Sequence, residues 1–71
     1  MEYTAAIQET TDGWYIAQCE QVPGALTQGR TIKEVLENLK EAIVLVLEAE
    51  RELGITHLES ETIIRRELVI V

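Results

Sequence analysis

The first third of the chain alternates between apolar and polar positions with a period of two residues, which is typical of half-buried β-strands. This alternation predicts one strand over residues 2–8 and a second over residues 14–20. Asp12-Gly13 lies between them, and such a pair is a strong hairpin signal because both residues tolerate positive φ. The second strand divides into two faces: Trp14, Ile16 and Gln18 on one, and Tyr15, Ala17 and Cys19 on the other. We therefore predict an antiparallel hairpin.

A short third strand follows the turn at Val22-Pro23-Gly24. Residues 25–28 are long enough for only a few ladder bonds, and so short a strand suits the edge of a sheet. Gly29 then gives the backbone conformational freedom before the next element. This segment predicts how the strands connect to a helix.

The period changes to three and four residues from Ile32 onward, which predicts an amphipathic helix. Thr31 and Glu34 have the spacing of a capping box, in which the Thr31 hydroxyl accepts from the Glu34 N–H and the Glu34 carboxylate accepts from the Thr31 N–H. Leu53-Gly54 predicts the helix end, with glycine just beyond it. The apolar stripe that should pack on the sheet comprises Ile32, Val35, Leu36, Leu39, Ala42, Ile43, Val46 and Leu47.

Val44 and Leu45 are apolar but fall outside that stripe, on its opposite flanks. Single exposed apolar residues are common and need no function. They could also form a contact between subunits, which a small domain with a long helix has reason to use. The sequence favours the subunit contact slightly.

Residues 61–71 are rich in β-branched side chains and predict a final strand after a linker at residues 54–60. Both of its faces are mostly apolar, so the strand is either central in the sheet or covered at its end by another subunit. The element order is β-β-β-α-β, an α+β fold in which the last strand enters an antiparallel sheet beside the first and one long helix covers one face. The other sheet face is left for a partner.

The 71 residues allow a single domain, spanning 1–71, whose small core makes it marginally stable alone. Cys19 is the only cysteine and His57 the only histidine, so neither an intrachain disulfide nor a metal site is predicted, and no cofactor is implied. Association into a homo-oligomer, a dimer or a larger assembly, is then the expected route to stability.

The net charge of −7 argues against direct nucleic-acid binding and against an anionic membrane surface, since both need an excess of Lys and Arg. It suits a basic partner. There is no long apolar run and no basic N-terminal leader, so neither a membrane span nor an export signal is expected. A single unpaired cysteine agrees with a cytoplasmic location.

Catalysis is not expected. Cys19 follows the strand alternation and is interpreted as a buried apolar residue, and His57 as a solvated one. The many glutamates of the helix are interpreted as its solvated face. No sequence feature would pair or desolvate them, as general acid–base catalysis by carboxylates requires. Trp14 on a sheet could stack a nucleic-acid base, but core or interface packing is favoured because basic residues are scarce around it. Arg65-Arg66 is interpreted as a solvated or ion-paired part of the last strand.

Several motifs occur in a characteristic order, and together they resemble the HicB-like antitoxin family over residues 3–50. The motifs are Asp12-Gly13-Trp14-Tyr15, Pro23-Gly24, Thr27-Gln28-Gly29-x-Thr31-x-x-Glu34 and Glu37-Asn38-x-x-Glu41-Ala42. The chain departs from the family at Ala25, where cysteine is frequent, and at Val35, where alanine is frequent.

The resemblance implies a partial ribonuclease-H-like fold without nuclease activity. HicB-like proteins neutralise HicA-like toxins, which are small basic ribonucleases that cleave mRNA, and they commonly oligomerise. Many carry a C-terminal DNA-binding domain, for which no room is expected after Val71. The alternatives are a stand-alone structural oligomer and an RNA-associated domain without a toxin. The predicted interface residues for a partner or a second subunit are Trp14, Val44, Leu45, Arg65 and Arg66.

Overall fold

A four-stranded antiparallel sheet packs against one helix in the computed structural model, which describes residues 1–49 and 60–71. The predicted element order and the α+β fold are confirmed. The elements are β1 (Glu2–Glu9), β2 (Tyr15–Cys19), β3 (Leu26–Gly29), α1 (Ile32–Ala49), a 3₁₀ turn (Ser60–Thr62) and β4 (Arg65–Ile70).

The strand order across the sheet is β3-β2-β1-β4, so β1 is bonded on both sides. Ala5 lies opposite Cys19 of β2, and Tyr3 lies opposite Val69 of β4. The last strand therefore enters the sheet beside the first, as predicted. It lies at the edge of the sheet, so the alternative prediction of a central position, which its two apolar faces allowed, is wrong. The predicted strand was also too long at its start, because Ser60–Thr62 form a 3₁₀ turn.

The hairpin between β1 and β2 closes at Gly13, whose φ is +83°. The backbone N–H of Thr10 donates to the Trp14 carbonyl at 2.8 Å, and the Trp14 N–H donates to the Thr10 hydroxyl at 3.1 Å. Gly13 takes the left-handed conformation that residues with a Cβ adopt only under strain. The Asp12-Gly13 signal thus predicted the turn correctly.

Thr31 and Glu34 together cap the N-terminus of α1. The Glu34 N–H donates to the Thr31 hydroxyl at 3.0 Å, as expected for a capping box. The Glu34 carboxylate instead accepts from the N–H of Arg30, at 3.0 Å. The reciprocal bond therefore falls one residue earlier than predicted and ties Arg30, the first residue of the β3–α1 connection, to the helix.

The core lies between α1 and the sheet face that carries the odd-numbered residues of β1. Its buried apolar members are Tyr3, Ala5, Ile7, Ala17, Cys19, Ala25, Val35, Leu39, Ile43 and Val69. Cys19 is fully buried, as predicted. Leu47, which the sequence placed on the packed stripe, is 46% exposed, and at this turn of the helix it is Val46 that packs against the core. The predicted helix end at Leu53-Gly54 lies outside the described residues.

Candidate functional site

The sheet face turned away from α1, here called the open face, is the main candidate surface. Strand alternation and register assign its residues, which are Glu2, Thr4, Ala6, Gln8, Trp14, Ile16, Gln18, Glu20, Leu26, Gln28, Arg30, Arg66, Leu68 and Ile70. Several of the apolar ones are solvent-exposed: Leu26 by 42%, Leu68 by 67% and Ile70 by 67%. The open face therefore combines exposed apolar side chains with a few charged ones.

Trp14 lies at one end of the open face and is half-buried. The guanidinium carbon of Arg30 lies 4.3 Å from the centroid of its ring. A cation over an indole is held by the negative potential of the ring face. Arg30 thus lies over one face of the Trp14 ring, at the boundary of the apolar surface.

Arg66 lies on the open face and is ion-paired across the sheet. Its Nε donates to Glu20 Oε1 at 2.6 Å. Glu20 directly follows β2, so the ion pair reaches across β1. Both charged side chains remain partly solvated, so the pair contributes little stability. Its effect is to neutralise one cation and one anion on this surface.

Arg65 lies on the opposite face of β4, where it pairs with Glu67. Adjacent residues of a strand point to opposite faces, so the structure does not bring Arg65 together with Arg66 and Trp14. Of the predicted interface residues on the sheet, Trp14 and Arg66 share the open face, and Arg65 does not.

Val44 and Leu45 lie on the outer surface of α1, on the far side of the molecule from the open face. Val44 is 37% exposed and Leu45 is 64% exposed. With Lys40 and Glu41 they line a shallow apolar depression of about 400 Å³. The predicted interface residues therefore form two separate surfaces, one on the sheet and one on the helix.

The sequence did not single out Leu68 or Ile70, although at 67% exposed they are the most accessible apolar side chains on the open face, and it did not single out Leu26. The signal was available, because alternation placed Leu68 and Ile70 on one face with Arg66. It did not distinguish that face, because both faces of the last strand are mostly apolar. A buried polar residue was also missed: Gln18 is 5% exposed, and its Nε2 donates to the Pro23 carbonyl at 2.8 Å.

Among residues 1–49 and 60–71, no group of three or more His, Cys, Asp and Glu side chains could hold a metal ion. In the same ranges every buried polar side-chain atom has a hydrogen-bond partner. His57, the only imidazole, lies outside the described residues. No described helix is long and apolar enough to cross a membrane.

Two archaeal sequences are similar to most of this chain. One is a UPF0150 protein of Thermoplasma acidophilum, 45% identical over 49 residues that cover 69% of this chain and 71% of the relative. The other is a UPF0150 protein of Archaeoglobus fulgidus, 35% identical over 51 residues that cover 72% of this chain and 74% of the relative. The chain belongs to the UPF0150 family. A UPF0150 protein of the cyanobacterium Synechocystis is 49% identical over 47 residues, covering 66% of this chain and 65% of that protein.

The UPF0150 chain also has the fold of a solved antitoxin domain. The crystal structure of the N-terminal domain of the Burkholderia pseudomallei antitoxin HicB superposes with a TM-score of 0.70, covering 100% of this chain and 98% of that domain at 24% identity. This likeness confirms the HicB-like fold that the motifs indicated. No protein-family model matches the UPF0150 chain.

Proposed function

We propose that this UPF0150 protein is an antitoxin-type binding module that neutralises a small basic HicA-like toxin that cleaves mRNA. The observation that carries the proposal is the fold shared along the whole chain with an antitoxin domain, at a TM-score of 0.70. Fold alone does not determine function. The charge and the surface of the protein supply the further support.

The charge of the protein suits a basic partner. The chain carries a net charge of −7, and its pI is about 4.5. A ribonuclease that binds RNA needs a basic surface. Complementary net charges accelerate association and disfavour partners of like charge. An acidic inhibitor competes with RNA for the same basic surface of such a toxin.

The open face is the surface that we assign to the toxin. Leu26 and Ile16 supply apolar contact area, and Trp14 stands at the edge with Arg30 over its ring. Buried aromatic residues dominate the energetics of many protein interfaces. Arg66 and its partner Glu20 stand among these residues as a neutralised pair. In this proposal the protein acts by covering the toxin and not by catalysis.

Co-expression with the small open reading frame next to this gene tests the proposal. We expect growth arrest by the neighbouring protein to be relieved by this chain, and the two purified proteins to form a complex measurable by calorimetry. Leu26→Lys places a charge on the open face and should weaken binding at least about tenfold. Leu45→Lys makes the same change on the helix surface and should leave the affinity unaltered.

Two results would count against the proposal. One is a neighbouring protein that is neither basic nor toxic and does not bind. The other is Mg²⁺-dependent RNA cleavage by the pure protein, which would instead favour an RNA-processing domain. A third pattern, in which Leu45→Lys and not Leu26→Lys loses the toxin, would move the interface to the helix.

The exposed pair Val44 and Leu45 favours a second candidate, a stand-alone oligomer without a toxin. If these residues join subunits through α1, Val44→Glu and Leu45→Glu should each reduce the mass measured by light scattering. A mass that is the same for the wild type and both variants would exclude a dimer mediated by the helix.

A further inference from the structure

The outer edge of β4 is open within the part of the chain that the structure describes, because the sheet order ends there. Met1 and Val71 exchange two backbone hydrogen bonds, each of 2.9 Å. Such pairs recur at every second residue of an antiparallel ladder. The odd-numbered residues of β4 therefore bond to β1. The N–H and C=O groups of Arg66, Leu68 and Ile70 point outward.

The opposite edge of the sheet is protected. β3 spans only Leu26–Gly29, and the Cys19 N–H donates to the Ala25 carbonyl at 3.0 Å. The same alternation directs the Gln28 carbonyl outward, where it accepts the side-chain amide of Asn38 at 2.9 Å. A short strand covered by a side chain is a usual way to block an edge. β4 is longer, and α1 packs mainly over β2 and β3. A groove of about 330 Å³ separates α1 from β4.

We propose that β4 pairs antiparallel with β4 of a second copy of this chain, about a two-fold axis at Leu68, so that two sheets join into one. This inference concerns self-association and is independent of the toxin. A closed two-fold contact requires a surface that is complementary to itself. The sequence of β4 meets that requirement in one register.

The charges of β4 select the register. An axis at Arg66 would place the two copies of Arg66 opposite each other, and an axis at Glu67 would do so for the two copies of Glu67. Both are like-charge pairs, which destabilise a sheet. An axis at Leu68 pairs Leu68 with its own copy and overlaps the strands from Arg66 to Ile70. Moving the axis further along the strand shortens that overlap. Only the Leu68 register therefore combines a long ladder with no like-charge pair.

The Leu68 register also removes exposed apolar surface from water. Leu68 and Ile70, both 67% exposed, lie on the same face of β4. In the pairing, the two copies of Leu68 are neighbours, and Ile70 lies beside the aliphatic part of the partner copy's Arg66, which can pack while its charge stays in water. The backbone ladder and this apolar contact together favour a second copy of this chain as the partner of the β4 edge.

A charge-mixing experiment tests the contact. We expect the wild type to show twice the chain mass of 8.0 kDa by light scattering. Leu68→Lys alone and Leu68→Glu alone should each show the single-chain mass, because like charges then meet at the axis. An equimolar mixture of the two variants should recover the doubled mass. Leu45→Lys, on the helix surface, serves as the matched control and should stay dimeric.

Three results would overturn the proposal: a wild type that stays at 8.0 kDa at its highest soluble concentration, Leu68 variants that stay dimeric, or a mixture that does not recover the doubled mass although each variant retains the wild-type circular dichroism spectrum. Loss of the dimer in Leu45→Lys alone would assign it to α1. If β4 instead adds a strand of the toxin, the wild type would be monomeric alone.

Discussion

Gly29 at the end of β3 lies directly against Val35 in the first turn of α1. A Cβ built on Gly29 would be 2.7 Å from the Val35 backbone nitrogen and 3.0 Å from its Cα. Neither atom can move without moving the helix. Gly29 does not have a positive φ; of the glycines that the structure describes, only Gly13 does. From the sequence we predicted that Gly29 provides conformational freedom. The structure shows instead that position 29 must lack a side chain, because the backbone of Val35 lies too close.

Gly29→Ala should lower the free energy of unfolding by roughly 1–3 kcal/mol, the usual range for an overpacked site, because the methyl group would separate α1 from β3. Urea denaturation followed by circular dichroism measures the change. Gln28→Ala, at the neighbouring exposed position, is the control and should stay within about 0.5 kcal/mol of the wild type. Equal stability of the two variants would contradict the close contact.

Gly13→Ala should destabilise the protein by about 1–2 kcal/mol, because an alanine at φ +83° is strained even though nothing else lies within 4 Å of the added Cβ. Gly13→Asn should lose less, since asparagine tolerates this region better. Thermal unfolding of the two variants makes the comparison. If alanine and asparagine were equally harmless, the turn would not depend on the left-handed conformation.

Thr31→Ala should reduce stability by about 1 kcal/mol, since the hydroxyl that accepts from the Glu34 N–H is lost. Thr31→Ser keeps the acceptor and should behave like the wild type in the same denaturation experiment. A Thr31→Ser variant as unstable as Thr31→Ala would show that the methyl group of Thr31, and not its hydroxyl, stabilises the helix start.

The contact of Arg30 with Trp14 should contribute about 0.5–1 kcal/mol, the value of a cation–π pair at a partly exposed site. A double-mutant cycle of Arg30→Gln and Trp14→Leu isolates this interaction energy. Because Trp14 is the only tryptophan, its fluorescence should also change in Arg30→Gln. A coupling energy of zero would mean that the cation does not orient the ring.

The fold was largely predictable because local signals and the hydrophobic pattern agree. Asp12-Gly13 predicts a tight turn between two antiparallel strands, and the apolar stripe through Leu39 gives the helix one face that packs on the sheet. The position of β4 was less accessible. The two faces of β4 look alike in sequence. An edge strand differs from a central strand mainly in which other strands flank it, and the strand that flanks β4 comes from the opposite end of the chain.

The candidate surfaces were only partly predictable. Trp14 and Arg66 lie on the open face, but Arg65 was grouped with them although strand alternation places it on the other side. Leu68 was not singled out, because its importance depends on the outward direction of its backbone groups. That direction follows from the ladder with β1, which no local pattern encodes. The role of Gly29 likewise depends on how closely the helix approaches the strand.

The pairing of β1 with β4 has a consequence for how the protein folds. Glu2 pairs with Ile70, so this ladder joins residues separated by nearly the whole chain, whereas β1 and β2 are joined by a tight turn. Closing the longer loop carries the larger entropic penalty, and contacts of high sequence separation slow folding. We expect β4 to dock last and to open first, so its amide protons should exchange with solvent faster than those of β2. Association of two β4 strands would then protect the segment that the isolated chain holds least firmly.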